Sequence, residues 1–309
     1  MVSRVETQGE RAMTFDRVRD VLVRLLDTGL EPGLYLVATP IGNLGDITLR
    51  ALAALARADV LYCEDTRHSR TLLAHFGISR QTRPYHEHNA ERERGRVLSD
   101  LASGRSVALI SDAGTPLVSD PGYKLVRAAL EAGHRVSSLP GPSALLAAIA
   151  SAGIATDTFL FAGFLPSRDG PRRTRLLELA RVPATLVFFE APSRLAASLA
   201  AIAQSLGARE IAVMRELTKL HEEVRRGTPA ELAQWAQESA PRGEMVVLIG
   251  PPAPEAVSDE AIAADIAPLL DRMGLAEAAK TVAEARDVPK ARVYGIGLML
   301  KGSVDSRGR

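Results

Sequence analysis

The chain has 309 residues, of which 46% are hydrophobic and 24% are charged. These proportions are typical of a globular protein and exclude a disordered polymer, a collagen-like chain and a small disulfide scaffold. The 38 basic and 37 acidic residues nearly cancel, so any nucleic-acid binding has to come from local patches. The chain has only 7 Phe, 5 Tyr and 1 Trp, which disfavours a surface of stacked aromatic rings that grips single strands.

The cysteine content and the length of the apolar runs help to predict where in the cell the protein is located. The single cysteine, Cys63, cannot form an internal disulfide or a cysteine-based zinc site, which favours a reducing compartment. No apolar run reaches the ~18–20 residues of a membrane span, and residues 1–10 lack the apolar segment of a signal peptide. We therefore predict a cytoplasmic protein that does not associate with a membrane.

From residue 33 onward, short apolar segments that end in turn-forming residues alternate with stretches of helical periodicity. Strands are predicted at 34–38, 60–63, 107–111 and 136–139 in the first half, and at 158–161, 185–189, 211–213 and 245–249 in the second. Parallel neighbours need a crossover, and the helices between the strands can supply it. The first half is therefore predicted to form a parallel sheet.

Two proline-rich segments divide the chain. The Pro-Gly-Pro segment at 140–142 stops strand pairing and fixes a turn, after which Ser143 can cap an alanine-rich helix. The Pro-Pro-Ala-Pro segment at 251–254 precedes a helical tail that is interrupted at 287–289. The predicted organisation is an N-terminal extension (1–32), an N-terminal α/β domain (33–141), a C-terminal α/β domain (142–252) and a helical tail (253–309).

Loops that follow strands are the candidate ligand sites, because ligands of open α/β sheets bind beyond the carboxyl ends of the strands. The loop at 38–46 has two glycines but lacks the G-x-G-x-x-G spacing of a dinucleotide site, and no Walker-type motif occurs in the chain. Pro40 also removes a backbone donor where a pyrophosphate needs one. This loop therefore argues against a bound dinucleotide.

The loop at 110–116 carries a hydroxyl, a carboxylate and a glycine directly after a predicted strand. Asp112 can accept hydrogen bonds from an amine or a ribose, and Gly114 allows a ligand to approach the backbone closely. A helix cap followed by a turn explains the same residues equally well. On its own, this loop leaves both interpretations open.

Six short motifs occur in order along the chain. They are Thr-Pro-Ile-Gly-Asn at 39–43, Cys-Glu-Asp-Thr-Arg at 63–67, Ser-Asp-Ala-Gly-Thr-Pro at 111–116, Leu-Pro-Gly-Pro-Ser-Ala at 139–144, Phe-Phe-Glu-Ala-Pro-Ser-Arg at 188–194 and Gly-Glu at 243–244. From about residue 33 to residue 250, the chain resembles the tetrapyrrole methylase-like superfamily. The second and fifth motifs are particular to its branch of ribosomal RNA small subunit methyltransferases I.

The resemblance implies an α/β fold with two α/β domains of the tetrapyrrole methylase type, S-adenosylmethionine in the cleft between them, and commonly a homodimer. It implies 2′-O-methylation of a cytidine ribose in the decoding region of 16S ribosomal RNA, with the 30S particle as the expected partner. The residues that the resemblance assigns to the cofactor cleft are Pro40, Ser111, Asp112, Gly114, Thr115, Leu117, Val118, Ser143, Phe189 and Glu190.

Methyl transfer from a sulfonium is an in-line displacement. Alignment of the reactants can lower the activation barrier by on the order of 7–11 kcal/mol, and a general base typically raises the rate ~10²–10⁴-fold. A ribose hydroxyl is a poor nucleophile, so a proton acceptor is expected. Glu64 and Asp65 follow a predicted strand and are candidate catalytic residues, with an ion pair to Arg67 as the alternative. His88 is a third candidate, although a loop before an Asn-capped helix explains its segment equally well.

A metal site is not predicted. His86 and His88 place two imidazoles on one side of an extended segment, but no third ligand has a recognisable spacing.

Arginines are the expected RNA-binding residues, because the planar guanidinium binds phosphate with two hydrogen bonds. The arginines near Arg67 are accompanied by glutamates, so an ordinary solvated surface is the alternative there. In the segment 168–175, Asp169 is the only acidic residue beside the arginines, so this segment is the stronger candidate for an RNA-binding patch. Arg194 either anchors a phosphate near the cleft or pairs with Glu190. The predicted RNA-binding residues are Arg67, Arg168, Arg172, Arg173, Arg175 and Arg194.

Two other functions fit parts of the pattern. A corrin or sirohaem C-methyltransferase of the same superfamily would use the same cofactor, but we expect it to lack the arginines of 168–175. A catalytically silent RNA-binding assembly factor of the ribosome would not bind S-adenosylmethionine. The helical tail is either a small nucleic-acid module, or a packing helix pair or part of the dimer interface, and its apolar residues favour the second interpretation.

Overall fold

The computed structural model describes residues 8–120, 122–253 and 257–305, and the side chains of 15–120, 122–253 and 257–301. Residues 1–7 of the predicted extension lie outside the described residues. The helices are α1 (Gln8–Thr28), α2 (Leu49–Arg57), α3 (Thr66–His75), α4 (Ala90–Ala102), α5 (Tyr123–Glu131), α6 (Ala144–Ser151), α7 (Asp169–Leu179), α8 (Leu195–Leu206), α9 (Pro229–Ser239), α10 (Asp259–Leu270), α11 (Leu275–Arg286) and α12 (Lys290–Asp305). The strands are β1 (Gly33–Val37), β2 (Val60–Cys63), β3 (Thr82–Pro84), β4 (Ser106–Ile110), β5 (Val136–Leu139), β6 (Phe159–Phe164), β7 (Thr185–Glu190), β8 (Ile211–Arg215), β9 (Glu223–Gly227) and β10 (Met245–Ile249).

The first sheet has the strand order β3-β2-β4-β1-β5 and is parallel throughout, which confirms the prediction. Every residue of β1, β2 and β4 is buried, because helices cover both faces of a parallel sheet. Apolar clusters on the two faces are centred on Leu55 and on Tyr62. Strand β3 was not predicted, because it has only three residues and ends in a proline at the edge of the sheet.

The second sheet has the strand order β6-β7-β10-β8-β9 and is mixed. Only β6 and β7 are parallel, whereas the other three pairs are antiparallel. Strand β9 was also not predicted, since its sequence, Glu-Val-Arg-Arg-Gly, lacks buried residues at an edge position. One face of the sheet packs on α7, α8 and α9, and the other packs on α6.

The predicted strands at 60–63, 136–139 and 245–249 coincide with β2, β5 and β10, and the other predicted strands differ by one to three residues at an end. The residues form two compact units, Met1–Pro252 and Ala253–Arg309. The predicted division at residue 141 falls inside the first unit, between β5 and α6. None of the helices in the described part of the chain has both the length and the apolar character of a membrane span.

The second unit contains α10, α11 and α12 around a core of its own, with Ile262 and Val293 fully buried. The predicted interruption of the tail is confirmed, because Asp287 has a left-handed backbone (φ 50°) and ends α11. Arg286 and Arg292 pair with Asp265 and Asp259 at 2.6 and 2.7 Å. The apolar residues of the second unit therefore pack against one another, which agrees with the interpretation of the tail as packing helices.

Candidate active site

A cavity of about 320 Å³ lies between the loops that follow the first sheet and the ends of β7 and β10. This volume is at the lower end of the range found for small-molecule sites. Six of the ten residues assigned to the cofactor cleft line it, namely Gly114, Thr115, Val118, Ser143, Phe189 and Glu190. The two halves of the first unit therefore meet at the position that the motifs indicated.

On the first-half side, the wall is a tightly bent backbone. Gly114 has a φ of +78°, and its N–H and C=O both bond to Thr39 at 2.9 Å. A Cβ at Gly114 would lie 3.3 Å from Ile41 Cγ2, so glycine is favoured by both conformation and space. The Thr115 hydroxyl donates to the Pro142 carbonyl at 3.3 Å, which links this loop to the start of the second half.

Leu117 is placed differently from its assignment. It is also in the left-handed region (φ 74°), and its side chain packs against Gly122 and the core beneath the sheet rather than into the cavity. Ser143, by contrast, both lines the cavity and accepts the Leu146 N–H at 3.4 Å. The predicted cap of this helix is therefore confirmed.

On the second-half side, the wall is made of side chains. The ring of Phe189 makes edge contacts with Phe161 and Phe164 at centroid distances of 4.8 and 5.7 Å, and such a cluster offers an apolar surface to a flat ring. Glu190 is buried, and its carboxylate accepts from Ser198 Oγ at 2.5 Å and pairs with Arg194 at 2.7 Å. Arg194 was predicted to bind RNA, with an ion pair to Glu190 as the alternative, and the structure shows this ion pair.

A second cavity of about 260 Å³ adjoins the first. The two cavities share Ile41, Ala113 and Glu244 in their walls. Pro40, Ser111 and Asp112, which were assigned to the cofactor cleft, line this second cavity instead. These three residues therefore form part of the wall of the second cavity and not of the first.

Neither cavity is lined by any of the three catalytic candidates. Asp65 caps α3, and its hydrogen bonds with the Arg67 guanidinium and backbone hold the pKa of the Asp65 carboxyl well below its usual range. Its backbone N–H donates to Asp112 Oδ1 at 2.9 Å, so the β2 and β4 loops are tied together. His88 is exposed and lies 6.0 Å from His86, ring to ring.

Glu64 belongs to a group of carboxylates beneath the β4 loop. Burial raises the pKa of Glu64, and the charge of Asp112 adds to this effect. The same group contains Asp120, which the motifs did not single out. Burial, together with the charge of Glu64, raises the pKa of Asp120 to about 6.

Two further residues of the site are Glu244, which the sequence marked only as part of a motif, and Lys219, which no motif contains. Lys219 Nζ lies 3.0 Å from Glu216 and 3.1 Å from Glu244, and it lines the second cavity. Burial by itself would lower the pKa of Lys219, but the hydrogen bonds to Glu216 and Glu244 raise it. The Gly-Glu motif at 243–244 was the available signal, but the position of Lys219 depends on tertiary structure.

The arginine patch of α7 is smaller than predicted. Arg172 is buried, and its guanidinium donates to the carbonyls of Pro166 and Ser167 at 3.1 and 2.6 Å. The prediction that Arg172 binds RNA is therefore wrong, because this side chain holds the loop before α7. Arg173 and Arg175 are exposed and pair with acidic residues of their own helix at 2.9 and 3.0 Å.

Arg168 and Arg67 are exposed, and Arg67 pairs with Asp65 at 2.8 Å. Among the residues whose side chains are described, no group of three or more His, Cys, Asp or Glu is arranged to hold a metal ion.

Known proteins resemble this chain in sequence and in fold. Residues 33–233 match the family Tetrapyrrole (Corrin/Porphyrin) Methylases. A protein of Mesorhizobium japonicum named ribosomal RNA small subunit methyltransferase I is 55% identical, over 86% of this chain and 88% of that protein. Proteins of the same name from Vibrio cholerae and Escherichia coli O157:H7 are 46% and 42% identical, over 86% and 87% of this chain and 94% and 96% of those proteins.

Solved structures confirm the predicted fold class. A cobalt precorrin-4 methyltransferase superposes with a TM-score of 0.54 at 20% identity, over 70% of this chain and 94% of that one. A diphthine synthase superposes with a TM-score of 0.56 at 15% identity, over 70% and 89% of the two chains. Together with the sequence relatives, these matches lead to one conclusion: the chain belongs to the tetrapyrrole methylase family and, within it, to the ribosomal RNA small subunit methyltransferase I family.

Proposed function

We propose that the chain transfers a methyl group from S-adenosylmethionine to the 2′-hydroxyl of a cytidine ribose in small-subunit ribosomal RNA. The observation that carries this proposal is the cavity at the meeting of the two halves, lined by Gly114, Thr115, Val118, Ser143, Phe189 and Glu190. The names of the sequence relatives support ribosomal RNA as the substrate.

The residues of the cavity fit S-adenosylmethionine. Phe189 and Val118 offer apolar surface to an adenine ring, and the bent backbone at Gly114 lets polar groups of a ligand approach its neighbours. The carboxylate of Glu244 faces the cavity and suits a positively charged sulfonium. When bound, the sulfonium supplies an activated methyl group, so the protein has mainly to align the two reactants.

The protein contributes alignment through rigid elements. The Thr39–Gly114 bridge fixes the first wall, and the bonds of Glu190 to Ser198 and Arg194 fix the second. The second cavity adjoins the first and gives a nucleoside a place next to the methyl donor. Holding the reactants in this way accounts for the larger part of the expected rate enhancement.

The proposal includes further parts that rest on the family resemblance and on the sequence. The substrate is the 30S particle, the protein acts as a homodimer in the cytoplasm, and no metal ion takes part. Arg67, Arg168, Arg173 and Arg175 remain the proposed phosphate contacts, since these four side chains are exposed. Light scattering of the purified protein with and without 30S particles measures both the dimer and the association.

The experiment that tests the function uses purified protein, 30S particles and S-adenosylmethionine labelled in its methyl group. Digestion to nucleosides is expected to yield label on a 2′-O-methylcytidine. Label on a base, or on uroporphyrinogen III offered in a parallel reaction, would contradict the proposal. Calorimetry with S-adenosylmethionine alone tests the alternative of a catalytically silent assembly factor, because such a protein would give no heat of binding.

A further inference from the structure

We propose that Glu244 is the catalytic residue that accepts the proton of the ribose hydroxyl during methyl transfer. The inference rests on the proposed function, because it concerns the same site and an oxygen nucleophile. It assigns to the reaction a residue that lies outside the three catalytic candidates of the sequence analysis.

The position of Glu244 is the first observation. A nucleoside in the second cavity has to present its hydroxyl to the first, so the proton acceptor has to border both. Three described residues line both cavities, namely Ile41, Ala113 and Glu244. Only Glu244 among these three has a side chain that can take a proton.

Three other side chains of the two walls could accept a proton, but Glu190, Asp112 and His68 each line only one of the two cavities. Glu190 is buried, and its carboxylate is already engaged with Ser198, Arg194 and the Ala191 N–H. Asp112 lines only the second cavity and accepts the Asp65 N–H. Glu244, by contrast, is 73% exposed, so its carboxylate can reach a bound nucleoside.

The backbone of Glu244 is held firmly. Its carbonyl accepts the Glu216 N–H at 2.9 Å, and its own N–H donates to Glu216 Oε1 at 2.9 Å. Glu216 has a left-handed backbone (φ 52°), and a Cβ at Gly243 would overlap its carboxylate. The Gly-Glu motif thus needs a glycine first, so that Glu216 can fix the residue that follows.

Lys219 is a positioning residue in this arrangement. Its ammonium lies between the carboxylates of Glu216 and Glu244, at 3.0 and 3.1 Å. Its aliphatic stem crosses Gly42 so closely that a Cβ there would overlap it. One oxygen of Glu244 is thereby anchored at the junction, while Oε1 makes no hydrogen bond within the described part of the chain.

The step balances without a further reactant. The 2′-oxygen forms a bond to the methyl carbon, and the sulfur–carbon bond breaks with its electron pair remaining on sulfur, which becomes a neutral thioether. The hydroxyl proton passes to the Glu244 carboxylate and then to solvent. A carboxylate in this position is expected to contribute ~10²-fold or more to the rate.

The test compares Glu244→Gln, which keeps the shape of the side chain, with Glu244→Asp and the wild-type protein. We expect kcat on 30S particles to fall about 100-fold or more in Glu244→Gln and less in Glu244→Asp. Affinities for S-adenosylhomocysteine by calorimetry and for 30S particles by light scattering are expected to stay unchanged.

Glu131→Gln on the exposed face of α5 is the matched control and is expected to behave as wild type. Lys219→Met is expected to lower kcat while affinity for S-adenosylhomocysteine stays unchanged, since it releases the Glu244 side chain. If Glu244→Gln keeps kcat within about threefold of wild type, or loses affinity for S-adenosylhomocysteine instead, the assignment is overturned. A wild-type protein that labels no ribose overturns the proposed function itself, and the two failures are thus distinguishable.

Discussion

The two sides of the cleft are built by different means. The first half presents backbone, with Gly114 in a left-handed conformation and tied to Thr39 by two hydrogen bonds. The second half presents side chains, with Phe189 in an aromatic cluster and Glu190 in a buried network. A parallel sheet delivers its loops to one edge, whereas the mixed second sheet delivers the ends of β7 and β10, with their side chains, to the same cavity.

Because of this difference, we expect the two walls to respond differently to substitution. A backbone wall tolerates the loss of side chains but not the addition of bulk or a change of conformation. A side-chain wall depends on the satisfaction of its buried polar groups. Substitutions on each wall distinguish these two responses.

The largest effect on cofactor binding is expected for Gly114→Val on the first wall. Valine is strained at a φ of +78° by about 1–3 kcal/mol, and its side chain would press on Ile41. Calorimetry is expected to show affinity for S-adenosylmethionine weakened about 100-fold, equivalent to roughly 2.7 kcal/mol. Gly104→Val is the control, because Gly104 has a φ of +74° but open space and no contact with the cavity. Equal affinities of Gly114→Val and wild type would show that the cleft is misplaced.

On the second wall, Arg194→Met is expected to destabilise the protein by about 3 kcal/mol, because it leaves the buried Glu190 carboxylate without its cation. Urea unfolding measures this loss. The double variant Glu190→Gln with Arg194→Met is expected to recover part of it, since no buried charge remains. Arg175→Met removes the exposed pair with Glu178 and should cost no more than about 0.5 kcal/mol. A similar cost for both arginines would contradict the contrast between the walls.

Arg172→Met tests the correction to the RNA patch. The substitution leaves two carbonyls without a buried donor, so a loss of about 2 kcal/mol in the free energy of unfolding is expected. Affinity for 30S particles should be unchanged at a temperature where the variant is folded. Arg173→Met should show the opposite pattern, with little effect on unfolding and a weaker dependence of binding on salt. Binding that weakens in Arg172→Met alone would restore the original prediction.

The smallest effect concerns the carboxylates beneath the first wall. Because the pKa of folded Asp120 is about 6, above the ordinary value of 3.8, the folded state binds a proton more tightly than the unfolded state. Stability is therefore lost as the pH rises from about 4 to about 6. Asp120→Asn stays neutral and should be about 1–2 kcal/mol more stable than wild type at pH 8, after allowance for solvent screening. The two should be equal near pH 4, which urea unfolding checks.

Asp157→Asn is the control for this measurement, because Asp157 lies in an exposed loop. A difference between Asp120→Asn and wild type that does not depend on pH would show that Asp120 is not the titrating group.

Much of the fold was predictable because it depends on local signals. Strand β10 is a continuous apolar run and was predicted to the residue, and the turn at 140–142 carries two prolines. Strands β3 and β9 were missed because edge strands bury little and lack an apolar pattern. The antiparallel pairs of the second sheet were also not predicted, since strand direction depends on partners that are distant in sequence.

The candidate site was predictable only in part, for the same reason. The motifs indicated the loops of the first cavity, and Gly114, Ser143 and Phe189 lie there. Arg172 was assigned to the surface because its neighbours in sequence are charged, but the turn before α7 buries it. Asp65 was a catalytic candidate because it follows a strand, but its carboxylate caps α3.

The sequence by itself determined the family, eight of the ten strands and the loops that carry chemistry, because these follow from short stretches of adjacent residues. Only the tertiary structure decided that Pro40 and Asp112 line a second cavity, that Arg194 is matched by Glu190, and that Glu244 stands where two cavities meet. Burial, charge pairing and the joining of two walls are properties of distances between residues far apart in the chain, and those distances exist only in the folded protein.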